Sequence, residues 1–192
     1  MLKWKKAFDQ DLLIAGKGSS GGCYAFGLND FKTEKVGSQV KDSLRLQLEQ
    51  CDSPQGVIIH SSMGGGTGSA FTSCIMEHLR DSDPRIVVHN NLLFPSLTHS
   101  STLSVEPYNA MLSLHFARKL GALNIFTTNK AVHNYWSVHY KSVVYGLKGV
   151  NTLLSEFIEH YLSVLAVKSM RDLSSALVPY PTINYVIPTL SL

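Results

Sequence analysis

Between residues 64 and 68 the chain reads Gly64-Gly65-Gly66-Thr67-Gly68, and no other feature constrains the fold as strongly. The run follows a short apolar stretch, Gly56-Val57-Ile58-Ile59, and precedes a segment in which Phe71, Ile75 and Leu79 recur at i, i+4 and i+8. A short β-branched stretch bounded by turn residues reads as a buried strand, and a spacing of four marks one face of a helix. The segment is predicted to be strand, glycine loop, helix.

That order has a chemical meaning. Glycines lack a Cβ, so main-chain N–H groups can approach an anion closely, and the helix start adds unpaired donors and partial positive charge. Thr67 and Ser69 offer hydroxyls. Four glycines are more than a tight turn needs, so phosphate binding is favoured over a merely structural loop.

A second cluster, Gly16-Lys17-Gly18-Ser19-Ser20-Gly21-Gly22, follows Leu12-Leu13-Ile14-Ala15, which reads as another short strand. No glycine follows Gly149, so the second half is built differently. Neither cluster supplies the GxxxxGK[ST] of a Walker loop, and GxSxG is absent. Gly16, Gly18 and Gly21 spell GxGxxG, but Gly22 to Gly27 is a poor helix start, which argues against a dinucleotide fingerprint and an oxidoreductase. The eight histidines contain no HExxH and read as solvated or satisfied imidazoles, and no metal site is indicated.

Along the rest of the chain, Val36, Val40, Leu44 and Leu48 suggest a helix ending before Pro54. Pro84 to His89 reads as a strand that Asn91 to Pro95 extends or ends, and Ser96 to Thr102 as a loop. Glu106-Pro107 suits a helix start. Leu123 to Phe126 reads as a strand, and another helix begins at Asn129. Over residues 151–166, apolar residues on two stripes predict a helix buried on most of its circumference. Leu177 to Pro188 switches to a proline-punctuated strand with nothing visible to pair it. Strands alternating with helices predict an α/β fold with a parallel sheet wrapped on both faces, ligands lying beyond the carboxyl ends of the strands.

Composition narrows the partners. A net charge of +3, from 17 basic and 14 acidic residues, is too small for the footprint of a nucleic-acid or polybasic membrane binder. With 44% hydrophobic and 16% charged residues, the chain is too apolar for a disordered tail and too polar for a bundle of membrane spans. Cys23, Cys51 and Cys74 are odd in number, without CxxC, and read as reduced thiols. The basic start, Met1 to Lys6, lacks the apolar stretch of an export signal.

The glycine run with its preceding His60-Ser61 resembles the signature loop of the tubulin family, the GTP-dependent polymer-forming proteins related to FtsZ. Three further segments resemble that family in the same order. They are Val105-Glu106-Pro107-Tyr108-Asn109-Ala110 with Leu112 to His115, the pair Asn129 and Asn151, and Leu177-Val178-Pro179-Tyr180-Pro181. The resemblance implies a Rossmann-like GTPase domain over residues 1–177, with a core helix near 151–166, and the first strand of an intermediate domain over 178–192. It also implies that Gly64, Gly65, Gly66, Thr67, Gly68 and Ser69 hold the phosphates of GTP, that Glu106 accepts from the ribose, and that Asn129 and Asn151 read guanine. A carboxamide can satisfy guanine's donors and acceptors together. Taken alone, Glu106 reads as a helix-dipole acid and Asn129 as a helix N-cap. Mg2+ would accompany the nucleotide, its ligands not visible in this chain.

Departures from the family pattern accompany the likeness. Ala70 replaces the last signature glycine, a mild change if that position is helical. Gly22-Cys23-Tyr24-Ala25 replaces an Asn-Asn-Trp-Ala run, and the guanine-stacking aromatic is replaced by Leu147 unless a local shift brings Tyr145 there. Asp172 falls near the acid that acts on a neighbouring subunit's nucleotide, or is a helix-start acid beside Arg171. The opening strand, its phosphate loop and the metal-side acidic loop have no counterpart. The chain is therefore expected to be a divergent, truncated tubulin, nearer the delta, epsilon or zeta types than the alpha and beta subunits. It would bind GTP, hydrolyse it only on assembly, and join microtubules or a centriole or basal-body structure in the cytoplasmic cytoskeleton. The alternative is a non-catalytic interaction module or vestigial fragment with weak or lost nucleotide binding.

Overall fold

The computed structural model describes residues 12–16, 18–33, 35–95, 104–140 and 147–189. The loop expected over Ser96 to Thr102, the basic start and Tyr145 lie outside these residues.

A parallel sheet carries the architecture. Strands β1 (Gly56–Ser62), β2 (Val87–Phe94), β3 (Leu123–Thr128) and β4 (Tyr185–Val186) stand in that order, each parallel to the next. Helix α3 (Gly66–Ser82) joins β1 to β2, and α4 (Glu106–Leu120) leads into β3. Helices α5 (Asn129–Tyr140), α6 (Leu147–Val167) and α7 (Met170–Leu177) lie between β3 and β4. Before the sheet come α1 (Tyr24–Thr33) and α2 (Lys35–Glu49).

The two-residue period of a strand sorts side chains between two cores. Val88 and Leu92 join Met63, Met76, Leu79, Ala110 and Ala117 beneath α3 and α4. Leu123 and Ile125 join Tyr161 beneath α6, with Leu173 of α7 packed against them. Both faces are covered, as the alternation of strands and helices predicts.

Four expectations are corrected. Leu12 to Ala15 is not a strand, and Leu13 is 82% exposed. A helix, α1, does follow the first loop, because Asn109 Oδ1 accepts its Tyr24 N–H at 2.8 Å and supplies the cap that the sequence lacks locally. Among the described side chains of α6 only Val150, Leu153 and Tyr161 are buried, while Leu162 and Val164 stay about half exposed, because the sheet covers one side of it. Finally, β4 is paired. Asn184 Oδ1 aside, its carboxamide donates to Gly121 O at 2.6 Å and Arg118 O at 3.2 Å, its main-chain oxygen accepts from Asn124 N–H, and β4 is thereby held beside β3.

Candidate phosphate cradle at the carboxyl edge of the sheet

Register brings the candidate residues to one edge. Ser62 stands level with Leu93, and Leu93 with Thr127, so the glycine run after β1 and Asn129 after β3 leave the sheet at the same end. The start of α4, with Glu106, follows β2.

Helix α3 begins inside the glycine run. Gly65 is its N-cap, with φ −88° and ψ 159°, and makes no side-chain cap. The first main-chain bond of the helix is Ser69 N–H to Gly65 O at 3.3 Å. The N–H groups of Gly66, Thr67 and Gly68 therefore find no acceptor within the helix, and they stand at the positive end of its dipole. The arrangement can receive an anion.

The glycines serve two purposes. A Cβ on Gly64 would stand 2.4 Å from Glu106 Oε1, on Gly66 2.6 Å from both Cys23 N and O, and on Gly68 2.5 Å from Ser62 O. Close packing against main chain requires glycine at 66 and 68, whereas Gly64 faces the flexible end of the Glu106 side chain, which can give way. Gly65, like Gly18 and Gly21 of the first loop, has nothing within 4 Å of a Cβ position. The open space lies on the sides of the two loops that these glycines present, and Gly21 and Gly22 have φ of 57° and 69°, which L side chains avoid.

Both hydroxyls make contacts within the loops, although Thr67 itself stays exposed. Thr67 Oγ1 lies 2.8 Å from Ser20 Oγ of the first loop. Ser69 is fully buried, and its hydroxyl donates to Gly66 O at 3.1 Å and also to Gly65 O. Ser69 thus holds the loop together and offers neither its N–H nor its hydroxyl outward. Ala70 is helical and buried, so the loss of the last signature glycine is mild.

Asn109, which sequence reasoning left without a role, ties the two loops together. Its Nδ2 donates to Gly22 O at 2.6 Å and to Gly64 O at 2.8 Å, while Oδ1 accepts from Tyr24. Its signal in the sequence was a carboxamide at the head of a stripe of small residues, Asn109, Ser113 and Ala117, all buried on α4.

The remaining candidates stand apart from the loop. Asn129 is exposed at the first position of α5, and the capping role falls instead to Thr128, whose Oγ1 accepts from Ala131 N–H at 3.0 Å. Asn151 is exposed on α6. Between α5 and α6 a cavity of about 260 Å3 is lined by Phe126, Thr128, Tyr135, Leu153, Phe157 and Pro188, and neither asparagine is among its walls. Asp172 is exposed in the first turn of α7, where its N–H donates to the N-cap Ser169 Oγ at 3.1 Å. Among the described residues no three His, Cys, Asp or Glu gather as a metal site, the three cysteines are unpaired, and no helix is long and apolar enough to cross a membrane.

Comparison with known proteins places these observations. The family described as Tubulin/FtsZ family, GTPase domain, matches residues 2–137. The chain is similar to the tubulin alpha-8 chain of Caenorhabditis elegans, 29% identical over 189 residues that cover 95% of this chain and 41% of that one. It is 30% identical over 192 residues to the tubulin alpha chain of Dictyostelium discoideum, covering 96% and 41% of the two. Against the tubulin alpha chain of Entamoeba histolytica it is 35% identical over 121 residues, or 63% of this chain and 26% of that one. The chain spans about two fifths of the length of the first two relatives. All three are alpha chains, whereas the sequence departures pointed toward the delta, epsilon or zeta types.

Proposed function

The chain belongs to the Tubulin/FtsZ family, and on that premise we propose that it binds GTP at the carboxyl edge of its sheet and joins a tubulin polymer. The observation that carries this reading is the row of N–H groups at Gly66, Thr67 and Gly68, aimed from a helix start beside open space at Gly65 and Gly21. In this reading the main chain from Gly64 to Gly68 holds the phosphates and Ser69 supports the loop. Glu106, whose carboxylate lies against Gly64, accepts from the ribose. Asn129 and Asn151 read the guanine edge. The donor set fits a nucleotide's phosphates. Mg2+ would be held largely by those phosphates, where it neutralises their charge.

Asp172 is proposed to act in trans. Its exposure on α7 leaves the carboxylate free to meet a neighbouring subunit's nucleotide and orient water there, so hydrolysis would require assembly. The polymer would be a microtubule or a centriole or basal-body structure of the cytoplasmic cytoskeleton, and the boundary between a GTPase unit over 1–177 and the start of an intermediate domain over 178–192 belongs to the same proposal. The test is titration of the purified chain with labelled GTP. Saturable binding is expected, and its absence at millimolar nucleotide would overturn the reading.

One observation favours the second reading, a non-catalytic tubulin-like interaction module. The hydroxyls of Thr67 and Ser69 are engaged within the loops, and Cys23 stands where the family carries an asparagine donor, so main-chain groups hold the phosphates with little side-chain help. Turnover measured with and without alpha/beta tubulin separates the two readings, since a trans-acting acid yields phosphate release only on assembly.

A further inference from the structure

We propose that Asn109 is a positioning residue that sets the spacing of the two glycine loops and thereby the discrimination among nucleotides of different phosphate number. The proposal rests on the nucleotide-binding reading above. Asn109 is 1% exposed and touches no open space, so it does not meet the ligand itself. Both of its N–H groups and its oxygen are engaged, and every partner is main chain of one loop or the other: Gly22 O, Gly64 O and the N–H of Tyr24 just after the first loop.

The chemistry requires a carboxamide there. Two carbonyl oxygens, from Gly22 and Gly64, converge on one nitrogen at 2.6 and 2.8 Å. Without its two donors these carbonyls face each other across a dry gap, and their like partial charges drive the loops apart. Asn109 also sits on the same helix as Glu106, one turn later, and Glu106 lies against Gly64. The first turn of α4 thus holds the proposed ribose acid, the α3 loop and the first loop in one rigid frame.

The loops make their other contacts around this frame. Gly66 has no room for a Cβ beside Cys23, and Thr67 meets Ser20. An anion held by α3 alone needs only the N–H groups of Gly66 to Gly68. A longer phosphate chain reaching the open side of Gly21 needs both loops at their set separation. Loosening that separation should therefore weaken binding more for each added phosphate.

The experiment compares GTP, GDP and GMP binding to the full chain and to Asn109→Asp and Asn109→Leu. Asp keeps the shape while turning two donor contacts into oxygen–oxygen repulsion, and Leu removes all three bonds. The wild-type chain should prefer GTP over GDP and GDP over GMP. Both variants should lose GTP affinity by roughly 5- to 150-fold, the range for a buried polar group left unpaired, with the GTP to GDP preference collapsing toward one. An unchanged preference in a folded variant, with only the melting temperature lowered, would overturn the inference and leave the nucleotide reading standing. A wild-type chain that binds none of the three would overturn the reading first. Should both variants fail to fold, amide exchange in the wild-type chain decides. The Tyr24 N–H should be protected and become more so with GTP, and fast exchange there with and without GTP would refute the positioning role.

Discussion

His89 Nδ1 lies 2.5 Å from the hydroxyl of Tyr161, joining the central strand β2 to helix α6 through a fully buried imidazole. On its other side Nε2 lies 2.7 Å from Ser174 Oγ on α7, and Ser174 donates to Met170 O at 3.0 Å. One proton arrangement satisfies the whole chain. Tyr161 donates to Nδ1, Nε2–H donates to Ser174, and Ser174 donates to Met170, so the ring is neutral. Burial lowers the His89 pKa to about 4 and pushes the Tyr161 phenol up to about 12.

Stability should therefore fall with acid. Between about pH 6.5 and pH 4 the unfolded chain takes up a proton that folded His89 refuses, so unfolding becomes easier as pH drops through that window and levels off below it. The full effect is about 3 kcal/mol. His89→Leu should flatten that part of the curve while costing about 1–3 kcal/mol at pH 7, because Tyr161 loses its acceptor. Urea midpoints of both proteins from pH 4 to 7 check this, and parallel curves would contradict it.

Gly65 and Gly66 should answer the same substitution in opposite ways. Gly65 has an ordinary extended backbone and open space, so Gly65→Ala should leave the melting temperature level or slightly higher, within about 1 kcal/mol. Its effect should appear in GTP affinity, because the new methyl enters the phosphate cradle. Gly66→Ala drives a Cβ to 2.6 Å from Cys23 main-chain atoms and should cost more than about 2 kcal/mol. Thermal melts and GTP titrations of the two variants test the contrast.

Asn90 and Asn124 form a buried pair across β2 and β3, with Nδ2 to Oδ1 at 2.7 Å, and Asn124 Nδ2 donates to Ala117 O at 3.0 Å. Either single change to Ala should cost about 1–3 kcal/mol, because it strands the other carboxamide. The double variant should cost less than the sum, with a coupling of about 1 kcal/mol or more in a double-mutant cycle on chemical unfolding.

Asp172→Asn should leave GTP affinity of the isolated chain unchanged and cost only about 0.3–1 kcal/mol as a lost first-turn acid. Phosphate release in co-assembly with alpha/beta tubulin should fall at least roughly tenfold, as for loss of a group that positions the attacking water. Equal release by both proteins would remove Asp172 from the chemistry.

Much of this was legible because it rests on period and punctuation. The spacing of Val36 to Leu48 announced α2, the stretch at Gly56 announced β1, and Glu106-Pro107 marked the start of α4 where the structure has it. The failures share a cause. Tyr24 begins a helix because a residue 85 positions away accepts its N–H, and β4 is held by Asn184 reaching the end of α4. The glycine run looked like ligand chemistry throughout, yet Gly64, Gly66 and Gly68 answer to Glu106, Cys23 and Ser62, contacts that no local pattern reveals. The same distance hid the loop-spacing place of Asn109.

The edge of the sheet beside Gly65 and Gly21 is proposed as a guanine-nucleotide site. Equilibrium binding of labelled GTP to the whole chain, with unlabelled ATP and GDP as competitors, tests it most directly. Saturable binding is expected that GDP displaces, that excess ATP leaves largely in place, and that Gly65→Ala weakens without unfolding the protein. Binding that never saturates at millimolar GTP, or that ATP displaces as well as GDP does, would contradict it.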